Sequence, residues 1–297
     1  MVTRVKGLAY PKHVTEDAEK LARALNDAFG VHLFLDYGGT LVEPGVGQRE
    51  RPAAHIRRKL ARLCRSDAFS VYVMSSRSVH ELREVIGVPG LGLIGQGGLE
   101  IWEDGGPLEH PVDIRHVDRL LHHLELDAHR CLGDMDGVTV ENSGFSLRLD
   151  TTSSERAVAR EATHCFETLV RALDTSNHLE VFYGDGVMQA RPAGWHKGHA
   201  IEHVLRSAEE DTLIISMGDD VTDEDAFEAV VSWDGGGEDV TPWYIPQAEE
   251  HEEEPPGAFG ILVSERPRPS HASLYVRNPH EVYEFLSSLE TIAAGAF

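Results

Sequence analysis

Apolar and polar positions alternate in blocks along the chain, and the period of each block predicts an element. Val31 to Leu35 (Val-His-Leu-Phe-Leu) is a short apolar run that ends at Asp36 and is followed by Gly38, Gly39 and Thr40. This pattern predicts a buried strand that delivers its last residue to a loop. Ala53 to Cys64 repeats its apolar residues at helical spacing, and Phe69 to Met74 is a second β-rich run, ending in Ser75-Ser76-Arg77. Ser78 is placed to cap a helix running to Val85. Leu91 to Ile94 and Leu99 to Trp102 read as two short strands around a glycine-rich turn. Strand and helix signals that alternate in this way predict a parallel α/β sheet.

From about Asp104 the texture changes. His116 to Leu126 and Ser154 to Leu173 read as helices, Val138 to Asp150 as a strand pair or one long strand, and Leu179 to Arg191 as strand, turn at Gly184-Asp185-Gly186, and strand. The expected organisation is an α/β, doubly wound core from residues 1–103 and 190–297, with an α+β insertion over 104–189. Past Lys197 the helix-strand alternation resumes, with a helix over Lys197 to Leu205 and an apolar strand over Thr212 to Met217 that leads into Gly218-Asp219-Asp220. Residues 234–257 combine a glycine triplet with an acidic run and read as a solvated loop. Ile261 to Val263 and the amphipathic Pro279 to Leu289 close the chain.

Charge narrows the partners. The 297 residues carry 50 acidic and 27 basic side chains, a formal charge of -23, and only Lys6, Lys12, Lys20, Lys59 and Lys197 are lysines. Such a surface repels nucleic acid and anionic membranes, which excludes both as expected partners. Self-repulsion on this scale is best tolerated where salt screens it, so a salt-rich cytosol is expected. No stretch reaches the roughly 18 apolar residues of a membrane span, and the charged N-terminus lacks the pattern of a secretory signal. Cys64, Cys131 and Cys165 are isolated and odd in number, the pattern of reduced thiols. A cytoplasmic protein is expected.

Four polar groups fall just past the carboxyl ends of expected strands or at a helix start, where a doubly wound sheet carries its functional loops. They are Asp36, Ser75, Lys197 and the pair Asp219 and Asp220. Together they suit phosphoryl transfer through an aspartyl intermediate. A carboxylate attacks phosphorus, a hydroxyl and an ammonium hold the phosphoryl oxygens, and further carboxylates bind Mg²⁺.

Phe34-Leu-Asp-Tyr-Gly-Gly-Thr-Leu41, Val73-Met-Ser-Ser-Arg77, Trp195-His-Lys-Gly198 and Gly218-Asp-Asp-Val-Thr-Asp-Glu-Asp-Ala-Phe227 resemble, in order, the four motifs of haloacid dehalogenase-superfamily phosphatases. The last string resembles trehalose-6-phosphate phosphatases in particular, as does the tail Ser273-Leu-Tyr-Val-Arg-Asn-Pro279. The resemblance implies a Rossmann-like core with an inserted α+β cap, Mg²⁺ dependence, and hydrolysis of a small-molecule sugar phosphate, foremost trehalose 6-phosphate. It further implies Asp36 as nucleophile, with Ser75 and Lys197 on the transferring phosphoryl group. The metal falls to Asp36, the backbone carbonyl of Gly38, Asp219, and Asp220 or Asp223. Thr40, Ser76, Arg77, Glu141, Asn142, Gln189 and Arg191 would line the substrate.

The chain departs from that pattern at instructive places. The family carries an aspartate two residues after the nucleophile, the general acid for the leaving sugar and then the base for water; here stands Gly38. In the insertion, Gly144 and Asp150-Thr-Thr152 occupy positions near a family lysine and a His-aromatic-Arg triplet, and Gln189 replaces a sugar-binding glutamate. Three readings follow: an active phosphatase with another group as acid, for which His196 is a candidate; a non-catalytic relative that binds metal and a phosphosugar as sensor or partner subunit; and an enzyme in which Asp36 is phosphorylated but water attack is uncatalysed.

Overall fold

A computed structural model describes residues 8–43, 51–111, 115–142, 144–183, 186–208, 211–233 and 257–295. Residues 234–256 of the expected loop at 234–257, and the turn residues 184 and 185, lie outside the described residues. The first elements in chain order are β1 (Lys12–His13), α1 (Ala18–Asp27), β2 (Gly30–Asp36), α2 (Ala54–Leu63), β3 (Phe69–Met74), α3 (Val79–Ile86), β4 (Gly92–Gly95), β5 (Glu100–Trp102) and β6 (Leu108–Glu109). Next come α4 (Arg115–Leu132), β7 (Thr139–Asn142), β8 (Leu147–Asp150), α5 (Arg156–Leu173), β9 (Leu179–Tyr183) and β10 (Val187–Pro192). The chain closes with α6 (Lys197–Leu205), β11 (Thr212–Gly218), α7 (Glu224–Val231), β12 (Ala258–Val263), β13 (Leu274–Val276) and α8 (Pro279–Gly295).

Two compact units emerge, one from residues 1–109 with 196–297 and one from 110–195. In the first, the described strands form a nine-stranded sheet in the order β1-β13-β12-β11-β2-β3-β4-β5-β6. It is parallel from β1 through β4 and antiparallel beyond. Its central strands read as continuous apolar runs because helices cover both faces of a parallel sheet. Every residue of β11 is buried, and Leu33, Phe34 and Leu35 of β2 have no exposed surface. The α/β expectation is met. The cap signal is met too: the Ser78 side chain accepts from the Glu81 N–H while Glu81 reaches back to Ser78, a reciprocal capping box that fixes the start of α3.

The parallel pairing decides where the polar ends fall. Asp36 pairs in register with Met74, so Tyr37 and Ser75 begin neighbouring loops on one edge, and Met217 of β11 pairs with Leu35 on the other side. The residues after β2, β3 and β11 therefore emerge side by side, with strands about 4.8 Å apart. None of the described helices is long and apolar enough to cross a membrane.

The second unit is a four-stranded antiparallel sheet, order β7-β8-β10-β9, with α4 and α5 on one face. Leu121, Leu124, Ala128 and Leu132 of α4, Ala162, Phe166 and Val170 of α5, and Leu147, Leu149, Met188 and Ala190 from the sheet form its core. Strand alternation turns their neighbours to the opposite face, where Glu141, Arg148 and Gln189 stand in register.

Candidate active site

Asp36 ends β2, Lys197 begins α6, and both side chains are buried. The Lys197 Nζ donates to Asp36 Oδ1 at 2.6 Å and to Asp223 Oδ1 at 2.6 Å. Asp223 then holds the loop after β11 in shape, its Oδ2 accepting from the Asp219 N–H at 3.0 Å and the Asp220 N–H at 3.1 Å. Carboxylate oxygens of Asp36, Asp219 and Asp223 all lie within 4.8 Å of one another. The sequence points to Asp220 as a ligand, but its Oδ1 accepts from the Thr222 N–H at 2.7 Å and the Thr222 hydroxyl at 2.6 Å. It caps the short 3₁₀ turn Val221–Asp223, and that turn is what swings Asp223 back into the cluster.

The electrostatics are lopsided, with four aspartates around a single ammonium. Burial raises the Asp36 carboxyl well above its ordinary value, and the nearby Lys197 pulls against this. Asp219 is pushed up to about 7 by burial and then by the charges of Asp223 and Asp220. Burial also raises Asp223. Burial weakens the Lys197 ammonium, but Asp223 and Asp36 outweigh it and hold the charge firmly. Excess negative charge in a low-dielectric pocket asks for a cation, and an all-oxygen donor set suits a hard one.

This yields a pH prediction. Without divalent ions, folded Asp219 keeps a proton between about pH 4 and 7 that the unfolded chain has released, so this site's contribution to stability falls as pH rises through that window. In chelator, Asp219→Asn should therefore gain thermal stability over the parent as pH goes from 5 to 8. A difference in Tm that stays flat with pH would refute the assignment.

Glycines shape the nucleophile loop in two different ways. Gly39 has φ +76°, and a Cβ there would sit 2.1 Å from Asp219 Oδ2. Only glycine lets that backbone pass the carboxylate. Gly39→Ala should displace Asp219 and weaken any binding of an added divalent cation at least about tenfold, a loss readable by titration calorimetry; unchanged affinity would contradict the packing. Gly38 is the opposite case: it is exposed, and a Cβ at this position would meet no atom within 4 Å.

The Ser75 loop is held from below. The Ser75 N–H donates to Ile94 O at 2.9 Å, the Gln96 N–H to Arg77 O at 2.7 Å, and the Gly97 N–H to Ser75 O at 2.9 Å. Glu100, buried, accepts from the Val79 N–H at 2.6 Å, a tether with no local sequence signal because β5 brings it across. Ser76 is exposed, and the Arg77 guanidinium lies 4.7 Å from the Tyr37 ring centroid. Thr40 is fully buried, and its hydroxyl has no hydrogen-bond partner among the described residues. Arg268 donates to Asp220 O at 3.0 Å and pairs with Glu224, bracing the acidic loop from the far side; sequence reading missed this brace.

The remaining expected residues belong to the second unit. Asn142 Nδ2 donates to Glu125 at 2.8 Å, while Glu141 is exposed. Gln189 donates to the Ser146 hydroxyl at 2.6 Å. Arg191 donates to Glu180 at 3.1 Å and lies 3.5 Å over the Phe182 ring.

The trehalose-phosphatase family model matches residues 34–246, which span all four motifs and well over half of the chain. The chain belongs to the trehalose-phosphatase family. Probable trehalose-phosphate phosphatase G of Arabidopsis thaliana is 27% identical over 310 residues, which cover 95% of this chain and 74% of that protein. The trehalose-phosphate phosphatase of Mycobacterium avium is 31% identical over 204 residues, which cover 67% of this chain and 51% of that protein. The chain thus spans about half the length of that mycobacterial relative. Among solved structures, the C. albicans trehalose-6-phosphate phosphatase C-terminal domain aligns over 96% of this chain and 99% of its own, with TM-score 0.72 and 18% identity. The Aspergillus fumigatus trehalose-6-phosphate phosphatase aligns over 95% and 100%, with TM-score 0.63 and 22% identity. Both carry the same fold.

Proposed function

We propose that this chain is a Mg²⁺-dependent sugar-phosphate phosphatase acting foremost on trehalose 6-phosphate through an aspartyl phosphate on Asp36. The observation that carries this reading is the buried Asp36–Lys197–Asp223 chain at the strand ends, with Asp219 completing an oxygen cluster. Asp36 attacks phosphorus, the bond from phosphorus to the sugar oxygen breaks, and water then cleaves the acyl phosphate to release inorganic phosphate. Burial raises the Asp36 carboxyl, and Lys197 pulls the other way, toward the ionised nucleophile, while offering positive charge to the phosphoryl oxygens. The Ser75 and Thr40 hydroxyls are proposed donors to the same oxygens, and the unpartnered Thr40 hydroxyl favours this. Asp36, Asp219 and Asp223 fit a divalent cation, which when bound would offset the repulsion between the nucleophile and the phosphate dianion. The Gly38 carbonyl is proposed as a further ligand, and Ser76, Arg77, Glu141, Asn142, Gln189 and Arg191 as substrate contacts.

Gly38 favours a second reading beside the first. It leaves the departing sugar oxygen without a positioned proton donor, so a relative that is phosphorylated slowly, or binds a phosphosugar as a sensor, is also consistent with the site. A Mg²⁺-dependent phosphate-release panel separates these. Release from trehalose 6-phosphate ahead of glucose 6-phosphate supports the enzyme, and binding of trehalose 6-phosphate without release supports the sensor. Neither binding nor release would sink both. A cytoplasmic monomer remains part of the proposal.

A further inference from the structure

The second unit carries a basic cleft that the phosphatase reading does not use. It has a volume of about 310 Å³ and lies between α5 and the sheet, at the end where β10 begins. Leu149 and Met188 form part of its apolar floor, and Arg156, Arg160 and His164 line it together with Glu167 and Tyr183, which are joined by a hydrogen bond of 2.8 Å. Leu149 and Met188 belong to the helix-covered face, so the cleft is on the opposite side of the sheet from Arg148 and Gln189.

Three observations make the cleft more than surface relief. Arg156, Arg160 and His164 follow one another at four-residue steps, so they share one face of α5. In a chain of formal charge -23, neither arginine nor the histidine ring pairs with a carboxylate among the described residues. The placement also runs against the helix dipole: α5 opens on Arg156, has no acidic residue in its first turn, and has no side-chain cap at Glu155. Cations at a helix start cost stability where anions would add it. A local rule broken in this way points to function.

We infer that this cleft binds a small organic phosphate, with its dianionic head between Arg156 and Arg160 and its carbon body on the Leu149–Met188 floor. Two guanidiniums match a phosphate dianion in charge and in forked geometry. The volume is at the lower end of ordinary small-molecule sites. A ligand there would rest on the element that builds the second unit's core, through Ala162, Phe166 and Val170 of the same helix. The site is independent of the catalytic reading.

Phenylphosphonate is a suitable probe, because its carbon–phosphorus bond resists hydrolysis. Amide resonances of the full chain are followed as it is added without Mg²⁺, for the parent and for Arg156→Gln/Arg160→Gln. Saturable shifts at residues 156–164 and 186–188 are expected, with affinity at least about tenfold weaker in the double variant, while any shifts around Asp36 and Ser75 stay the same. Circular dichroism checks that the variant keeps its helices. Shifts confined to the Asp36 loops, or cleft shifts that the double variant leaves unchanged, would overturn the site. Tighter binding of succinate than of phenylphosphonate would overturn the phosphate assignment.

Discussion

Asp36→Asn should abolish Mg²⁺-dependent hydrolysis of p-nitrophenyl phosphate, by roughly 10⁴-fold or more, without loss of thermal stability. The aryl ester is the right substrate because its leaving group departs without a proton, so the assay reads the nucleophile alone. An amide of the same shape cannot form the acyl phosphate. Stability should hold because the substitution removes one of the crowded buried carboxylates while Lys197 keeps its 2.6 Å bond to Asp223. A variant that lost both activity and fold would point to a structural ion pair, since breaking a needed buried pair costs about 3–5 kcal/mol. Activity that survived the substitution would place the nucleophile elsewhere.

Gly38→Asp should do the reverse. Hydrolysis of trehalose 6-phosphate is expected to rise by about 10²–10⁴-fold, the usual worth of a positioned general acid and base. The structure leaves room for it: nothing lies within 4 Å of a Cβ at Gly38, and this residue is absent from the left-handed glycines that include its neighbour Gly39. A β-carbon can therefore be added at Gly38 without moving the loop. Hydrolysis of the aryl ester should change far less in its first step, because no proton is needed there. An unchanged sugar-phosphate rate would mean that another group already supplies the proton, or that the new carboxylate does not reach the leaving oxygen.

How much of this was legible in the sequence depends on whether the signal was local. β2, β3 and β11 were readable because each is an apolar run stopped by a polar residue, and the parallel register brings the stop residues Asp36, Ser75 and Asp219 to one end of neighbouring strands. α1 was not, since Ala18–Asp27 buries only Leu21 and Leu25 among charged neighbours. The apolar spacing predicts a helix that ends at Leu126, yet Ala128 and Leu132 carry the buried face of α4 on through Asp127, His129 and Arg130. β13 has three residues and is defined by its partner β12 rather than by its own pattern.

The same contrast runs through the site. Asp36 and Lys197 are 161 positions apart, yet each was marked by its own motif. Asp223 was harder to choose over Asp220, because the decision rests on a 3₁₀ turn whose cap is Asp220 itself. Glu100 and Arg268 escaped notice because they act on backbone groups of distant loops, and spacing carries no trace of that. Gly38 and Gly39 look alike as letters; only the fold separates the glycine that must be glycine from the one that leaves space.

The proposed reaction turns on Asp36 accepting the phosphoryl group before water releases it. Rapid acid quench of the protein turning over p-nitrophenyl phosphate with Mg²⁺, followed by peptide mass spectrometry, tests this most directly. One phosphoryl group should accumulate on the peptide containing Asp36, be absent in Asp36→Asn, and fall in Gly38→Asp as hydrolysis catches up. A phosphoryl group found on another residue, or none on Asp36 during turnover, would contradict the account.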